Sequence, residues 1–80
     1  MNQQEMHVIA ETAEKDRHLS IEITHSKRKS DYRVLGYIKV DIDGLWHQYI
    51  QYVDCKSGAV YARHPQNFRN FTKAKNWRLD

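Results

Sequence analysis

Hydrophobic and polar positions alternate most regularly between residues 32 and 63. Tyr32 to Ile42 runs with period two, Asp43-Gly44 reverses the chain, and Leu45 to Val53 answers it. A second reversal at Cys55-Lys56-Ser57-Gly58 leads into Ala59 to Arg63. Asp-Gly between two alternating runs is the strongest short-range hairpin signal, because the favoured two-residue turn needs positive φ at both of its positions. The spacing therefore predicts a three-stranded antiparallel meander. Leu19 to His25 alternates too, with Leu19, Ile21 and Ile23 on one side, and predicts a half-buried strand ahead of it.

The first segment changes period. Met6, Ile9, Ala10 and Ala13 fall at i, i+3, i+4 and i+7, the stripe of an amphipathic helix, with Asn2 placed to cap it. Residues 1–18 are predicted as an N-terminal helix; the rival is a strand from Met6 to Thr12 turning through Glu14 to Arg17. Lys27 to Asp31 reads as a polar, basic loop. Pro65 blocks further ladder bonding and opens a helical turn over Gln66 to Phe71, and Asn76 to Leu79 could supply a short last strand. The whole is one small, mainly β domain of α+β class spanning 1–80, with residues 19–80 forming an SH3-like antiparallel barrel or meander of four or five strands after the N-terminal helix. The second architecture is an open antiparallel sheet with one helix packed across it.

A two-residue turn at Asp43-Gly44 pairs Ile42 with Leu45 and sets the register outward. One face then collects Val34, Ile38, Val40 and Ile42 with Leu45, Tyr49, Val53, Val60 and Ala62, and is the expected core. Gly36 falls on it opposite Gln51 and marks a bend. The other face collects Arg33, Leu35, Tyr37 and Lys39, then Trp46, Gln48, Ile50 and Tyr52, then Tyr61 and Arg63. Aromatic rings interleaved with cations are what single-stranded nucleic acid needs, since bases stack on rings while Lys and Arg neutralise phosphates. The same residue types make protein-interface hot spots. The rings have a competing use: in a closed barrel, or beneath the N-terminal helix, Leu35, Ile50 and several of them would be core.

Charge adds an asymmetry to this picture. The net +3 divides into −3 over residues 1–26, where five acids face Lys15 and Arg17, and +6 over the rest. Lys27-Arg28-Lys29 is one basic cluster, and Arg63 to Arg78 holds five basic residues and no acidic one. Such patches attract polyanions by counterion release. A solubilising surface whose acidic segment neutralises the basic half is the plainer account of the same charges. Eighty residues bury a thin core, which favours a binding surface over a deep catalytic pocket. No apolar run is long enough to span a membrane and no signal-peptide stretch begins the chain, so a cytoplasmic protein is expected.

Catalytic chemistry finds little footing. His7, His18, His25, His47 and His64 show neither helical pairing nor a cysteine partner at ligand spacing, so no metal is expected. Cys55, the single cysteine, has no located base or oxyanion donor, and Asp41 and Asp43 read as turn formers. The three glycines stand apart, so there is no phosphate loop and no cofactor is expected.

Tyr32-Arg33-Val34-Leu35-Gly36, then Gln48 to Tyr52, Ser57 to Arg63 and Pro65 to Phe68 resemble the pattern of a group of short, uncharacterised bacterial and phage proteins. The likeness spans about half the chain, and His64, between Arg63 and Pro65, departs from the pattern. It implies a compact SH3-like β domain from a bacterium or its phage and no particular activity.

The leading expectation is a non-enzymatic domain that binds nucleic acid through a basic, aromatic sheet face. Tyr37, Trp46, Tyr52 and Tyr61 would stack bases, and Arg33, Lys39 and Arg63 would meet phosphates with Lys27, Arg28 and Lys29. The alternative is a protein-interaction module, such as a phage accessory protein engaging a host factor. The chain would be a monomer or a homodimer, and no membrane contact is expected.

Overall fold

A computed structural model describes residues 1–16 and 18–73. Helix α1 spans Gln3–Lys15 and begins as the sequence predicts. The Asn2 side chain accepts from the Glu5 amide at 2.8 Å, while Glu5 Oε1 accepts from the Asn2 amide at 3.1 Å, so two otherwise orphaned N–H groups are satisfied reciprocally. Met6, Ile9, Ala10 and Ala13 form its buried stripe.

Five strands follow: β1 (Glu22–His25), β2 (Asp31–Ile42), β3 (Leu45–Asp54), β4 (Val60–Arg63) and β5 (Phe71–Lys73), with a 3-10 helix at Pro65–Asn67 before the last. They form one antiparallel sheet in the order β4-β3-β2-β1-β5. The sheet is open, with β4 and β5 at its two edges and α1 laid across one side. The expected meander and N-terminal helix are present, and the sheet is open rather than closed into a barrel. The last described strand is Phe71–Lys73; the strand expected at Asn76 to Leu79 lies outside the described residues.

The Asp43-Gly44 reversal has φ of 51° and 81°, positive at both positions as its turn type requires, and Asp41 caps it by accepting the Gly44 amide at 2.9 Å. The expected pairing holds from there back to Gly36, with Ile42 opposite Leu45, Ile38 opposite Tyr49 and Gly36 opposite Gln51. Then a bulge at Leu35 intervenes, and Val34 pairs with Tyr52 rather than Val53. One extra residue reverses the parity of everything before it.

That bulge and the position of α1 invert the expected core. Tyr32 and Val34 now share a side with Ile50 and Tyr52, and the helix covers that side. With Ile21, Ile23, Phe68 and Phe71 they complete the buried cluster around the helical stripe. Ile38, Val40, Ile42, Leu45, Tyr49, Val53, Val60 and Ala62, read from sequence as core beside Val34, lie instead on the side that no helix among the described residues covers. Fully burying an aliphatic or aromatic side chain contributes about 1.5–3 kcal/mol, and Phe68, Phe71, Met6, Ile9, Ile21, Ile23 and Ile50 are fully buried. No helix among the described residues is long and apolar enough to cross a membrane.

Candidate functional site

Three elements meet where β4 ends. The β1–β2 turn brings His25 and Arg28, β4 brings Tyr61 and Arg63, and β5 brings Phe71. Together with Tyr32 and Tyr52 these line a cavity of about 160 Å³ on the helix-covered side of the sheet. Arg63 also lines the neighbouring cavity of about 300 Å³ with Gln66, Asn67, Arg69 and Asn70. Among the described residues no carboxylate lines either.

Packing fixes the walls. Tyr52 and Tyr61 pair across the β3–β4 ladder with stacked rings 5.7 Å apart, and Tyr32 meets both edge-on. Tyr52 is 4% exposed, whereas Tyr61 is 46% exposed and presents ring surface to solvent. Arg63 donates through Nε to the Tyr52 hydroxyl at 2.8 Å and through a terminal nitrogen to the Asn67 carbonyl at 3.4 Å, and its guanidinium lies 5.3 Å from the Phe71 ring centroid. Among the described residues those bonds use two of the five N–H donors of the guanidinium, so the group is held in place. Burial raises the Tyr52 hydroxyl above its ordinary value, and the Arg63 bond opposes that shift.

The turn is built on His25. Its carbonyl accepts the Lys29 amide at 2.8 Å and its Nδ1 accepts the Arg28 amide at 3.2 Å; Lys29 takes a positive φ of 58° to close the loop. This leaves the side chains of Lys27, Arg28 and Lys29 exposed. Burial, then the charges of Arg28, Arg63 and Lys27, push the His25 imidazole below its ordinary pKa. The cavity is thus positive with a neutral imidazole at its base. It can accept an anion, and an exposed tyrosine ring stands at its rim.

The residues expected to form one surface are divided among three places. Tyr61, Arg63 and Arg28 converge on the cavity, with Lys27 and Lys29 in the same turn. Tyr52 is there too, but sealed, so its role is to hold Arg63 and not to stack. Tyr37, Lys39 and Trp46 lie on the same side of the sheet but toward the hairpin tip. Trp46, 70% exposed, is six residues from Tyr52 along β3, about 20 Å at the usual strand rise. Tyr37 is engaged with His7, whose Nδ1 lies 2.6 Å from the Tyr37 hydroxyl; burial and then Glu11 and Glu14 raise its pKa. That end of the sheet is an acidic neighbourhood. Arg33 pairs with Glu22 and Val53 on the uncovered side, because the bulge moves it there.

His25, Tyr32, Arg69 and Phe71 were not among the expected site residues. The sequence signal for Tyr32 was the glycine at position 36, which marked the bend without revealing the extra residue. His25 and Phe71 pair across β1 and β5, a contact between distant segments that no local pattern reports.

Elsewhere the chemistry is sparse. Cys55 is exposed, with its thiol 3.8 Å from Glu22 Oε1; partial burial of the sulfur and then the Glu22 and Asp31 carboxylates raise its pKa, the opposite of what a nucleophile needs. Among the described residues no three His, Cys, Asp or Glu side chains are grouped to hold a metal ion. No family model, curated protein or solved structure matches this chain.

Proposed function

We propose that this chain is a non-enzymatic domain that binds single-stranded nucleic acid at the arginine-lined cavity beside β4. The observation that carries the reading is the meeting of an exposed ring, Tyr61, with Arg28 and Arg63 around one cavity whose described lining holds no carboxylate. A base stacks on Tyr61, one phosphate enters between Arg28 and Arg63, and Arg69 receives the next along the neighbouring cavity. Sequence preference is weak in such a site, since every base has a face to stack and a phosphate carries no sequence information. The SH3-like reading of the fold belongs with this proposal, and the antiparallel meander with a single helical turn before the last strand supports it.

The test is fluorescence anisotropy with labelled single-stranded oligonucleotides at several salt concentrations. Two neutralised phosphates give a slope of log K against log salt of about −1.4 for a single strand. Absence of binding at low ionic strength removes the proposal, as does binding that leaves the resonances of Tyr61, Arg28 and Arg63 unshifted.

A protein-interaction module is the second reading, and the exposed apolar side of the β2–β3 hairpin favours it. Partner capture that survives nuclease treatment and is lost in outer-face variants would support it.

A further inference from the structure

Beyond β4 the chain runs Pro65-Gln66-Asn67-Phe68-Arg69-Asn70-Phe71, and every third residue is an anchor. Pro65, Phe68 and Phe71 are buried, whereas Gln66, Asn67, Arg69 and Asn70 between them are exposed. Those polar residues line the cavity of about 300 Å³ together with Arg63.

Backbone bonds complete the frame. The Asn67 amide donates to the His64 carbonyl at 2.9 Å, and the Phe71 amide donates to the Phe68 carbonyl at 3.0 Å. The Asn67 carbonyl accepts from Arg63, and the Asn70 carbonyl accepts the Ser26 amide and hydroxyl, both at 2.8 Å. The backbone of both asparagines is thus spent on holding the loop. Among the described residues their side-chain amides bond to nothing else and are left to the cavity.

The lining decides what part of a nucleotide fits. Among the described residues it holds no ring, no aliphatic side chain and no carboxylate, unlike the neighbouring cavity with Tyr32, Tyr52, Tyr61 and Phe71. A base gains little there, because nothing offers a face to stack on. A phosphate suits Arg63 and Arg69 but only accepts hydrogen bonds, so it leaves the carboxamide oxygens unused. A carboxamide both donates and accepts, and a hydroxyl group answers it in both senses.

We propose, resting on the reading of the Tyr61 cavity above, that this second cavity holds a ribose and that the chain selects RNA over DNA. With one phosphate between Arg28 and Arg63 and the next at Arg69, the sugar joining them passes over Asn67 and Asn70. One carboxamide N–H donates to the 2′-hydroxyl oxygen, and the other carboxamide oxygen accepts its proton. Gln66, whose side-chain N–H donates to Gln3 Oε1 at 3.3 Å, is tethered to α1 and closes the wall. The 2′-hydroxyl is the group by which a protein tells RNA from DNA at one site. Deoxyribose brings a methylene there, which displaces water from the amides and returns no hydrogen bond. Base preference stays weak, since the base still meets only the Tyr61 ring.

Oligouridylate and oligodeoxyuridylate of equal length share base and charge and differ only at the 2′ position. Anisotropy titration of the full chain with each, at several salt concentrations, tests the proposal. The ribose strand is expected to bind about five- to tenfold more tightly, the worth of one net hydrogen bond. The two salt slopes should be equal, because the same phosphates are neutralised. Replacing both asparagines, Asn67→Ala with Asn70→Ala, should bring the ribose strand down to the deoxyribose affinity and leave the latter unchanged. Circular dichroism should show that variant folded, and the wild-type comparison stands whether or not it folds. Equal wild-type affinities, or a ribose preference that survives in the double variant, overturn the inference and leave the Tyr61 site in place. Failure of both strands to bind at low ionic strength overturns that site and the ribose selection with it.

Discussion

Glu14 lies over Gly36. A methyl group placed on Gly36 would stand 2.5 Å from Glu14 Cγ, and the Glu14 carboxylate accepts the Tyr37 amide at 3.1 Å, the amide next to the bulge. The last turn of α1 is therefore seated on the irregularity in β2, and the glycine is what lets the Glu14 side chain lie against the β2 backbone. Its φ of +132° is also a conformation that side chains disfavour.

Gly36→Ala should accordingly destabilise the fold by on the order of 1–3 kcal/mol, from backbone strain together with the contact. Urea unfolding followed by tyrosine and tryptophan fluorescence measures it. Adding Glu14→Ala should recover the steric part of the loss and leave the strain. Full recovery in the double variant would show that the conformation at Gly36 carries no cost.

The exchange of the two sheet faces gives a second expectation. Ile50 is fully buried beneath α1, whereas Ile38 is 37% exposed on the opposite side. Ile50→Ala should cost about 2–5 kcal/mol, the usual range for truncating a buried aliphatic. Ile38→Ala should stay within about 0.5–1 kcal/mol when measured on the monomer, as surface changes do. The reverse ordering, with Ile38 the costlier site, would restore the core that hydrophobic alternation alone suggests.

This exchange also marks how far the sequence could be read. The helix stripe, its Asn2 cap, the Asp43-Gly44 turn and the pairing from Ile42 back to Gly36 are all local, set by neighbours a few residues apart, and they were legible. Which side of the meander α1 would cover is not local. Both sides carry enough apolar residues to serve as core, so the pattern had two solutions. The helix contributes Met6 and Ile9, and the large rings Tyr32, Tyr52, Phe68 and Phe71 gather on the side it takes. The bulge decides the matter for Tyr32 and Val34, and a single extra residue leaves only Gly36 as a trace. The candidate site suffered the same way: Tyr61, Arg63 and the basic turn could be named one by one, but their convergence depends on β5 returning beside β1.

At the cavity, the residues divide into those expected to touch a ligand and those that hold others. Tyr61→Ala should weaken oligonucleotide binding by about 1–3 kcal/mol, the range for one stacked base. Arg69→Ala should lower the magnitude of the salt slope by about 0.7, one single-strand phosphate contact, and Arg28→Ala should weaken binding with a smaller change of slope because Arg63 still meets the same phosphate. Arg33→Ala and Trp46→Ala should leave both quantities unchanged, because Arg33 faces the other way and Trp46 is at the hairpin tip. Anisotropy titrations of the five proteins decide this, and a loss at Trp46 matching that at Tyr61 would move the site to the hairpin.

His25 links the cavity to pH. In the folded chain its pKa lies below the ordinary value near 6.5, through burial and then Arg28, Arg63 and Lys27. The unfolded chain takes up the proton first as pH falls, so the unfolded state binds more protons between the two pKa values and stability rises with pH across that window. The contribution is complete above about 6.5, declines as pH drops toward the folded pKa, and is constant below it. Urea midpoints of the wild type relative to His25→Phe, which keeps a ring against Phe71 but does not titrate, should converge or cross in that interval. A bound phosphate supplies the negative charge the cavity lacks, so an oligonucleotide should raise the His25 pKa toward its ordinary value. Imidazole resonances followed by NMR with and without oligonucleotide measure the shift. An unchanged His25 titration in the presence of saturating strand would place the phosphates away from Arg28 and Arg63.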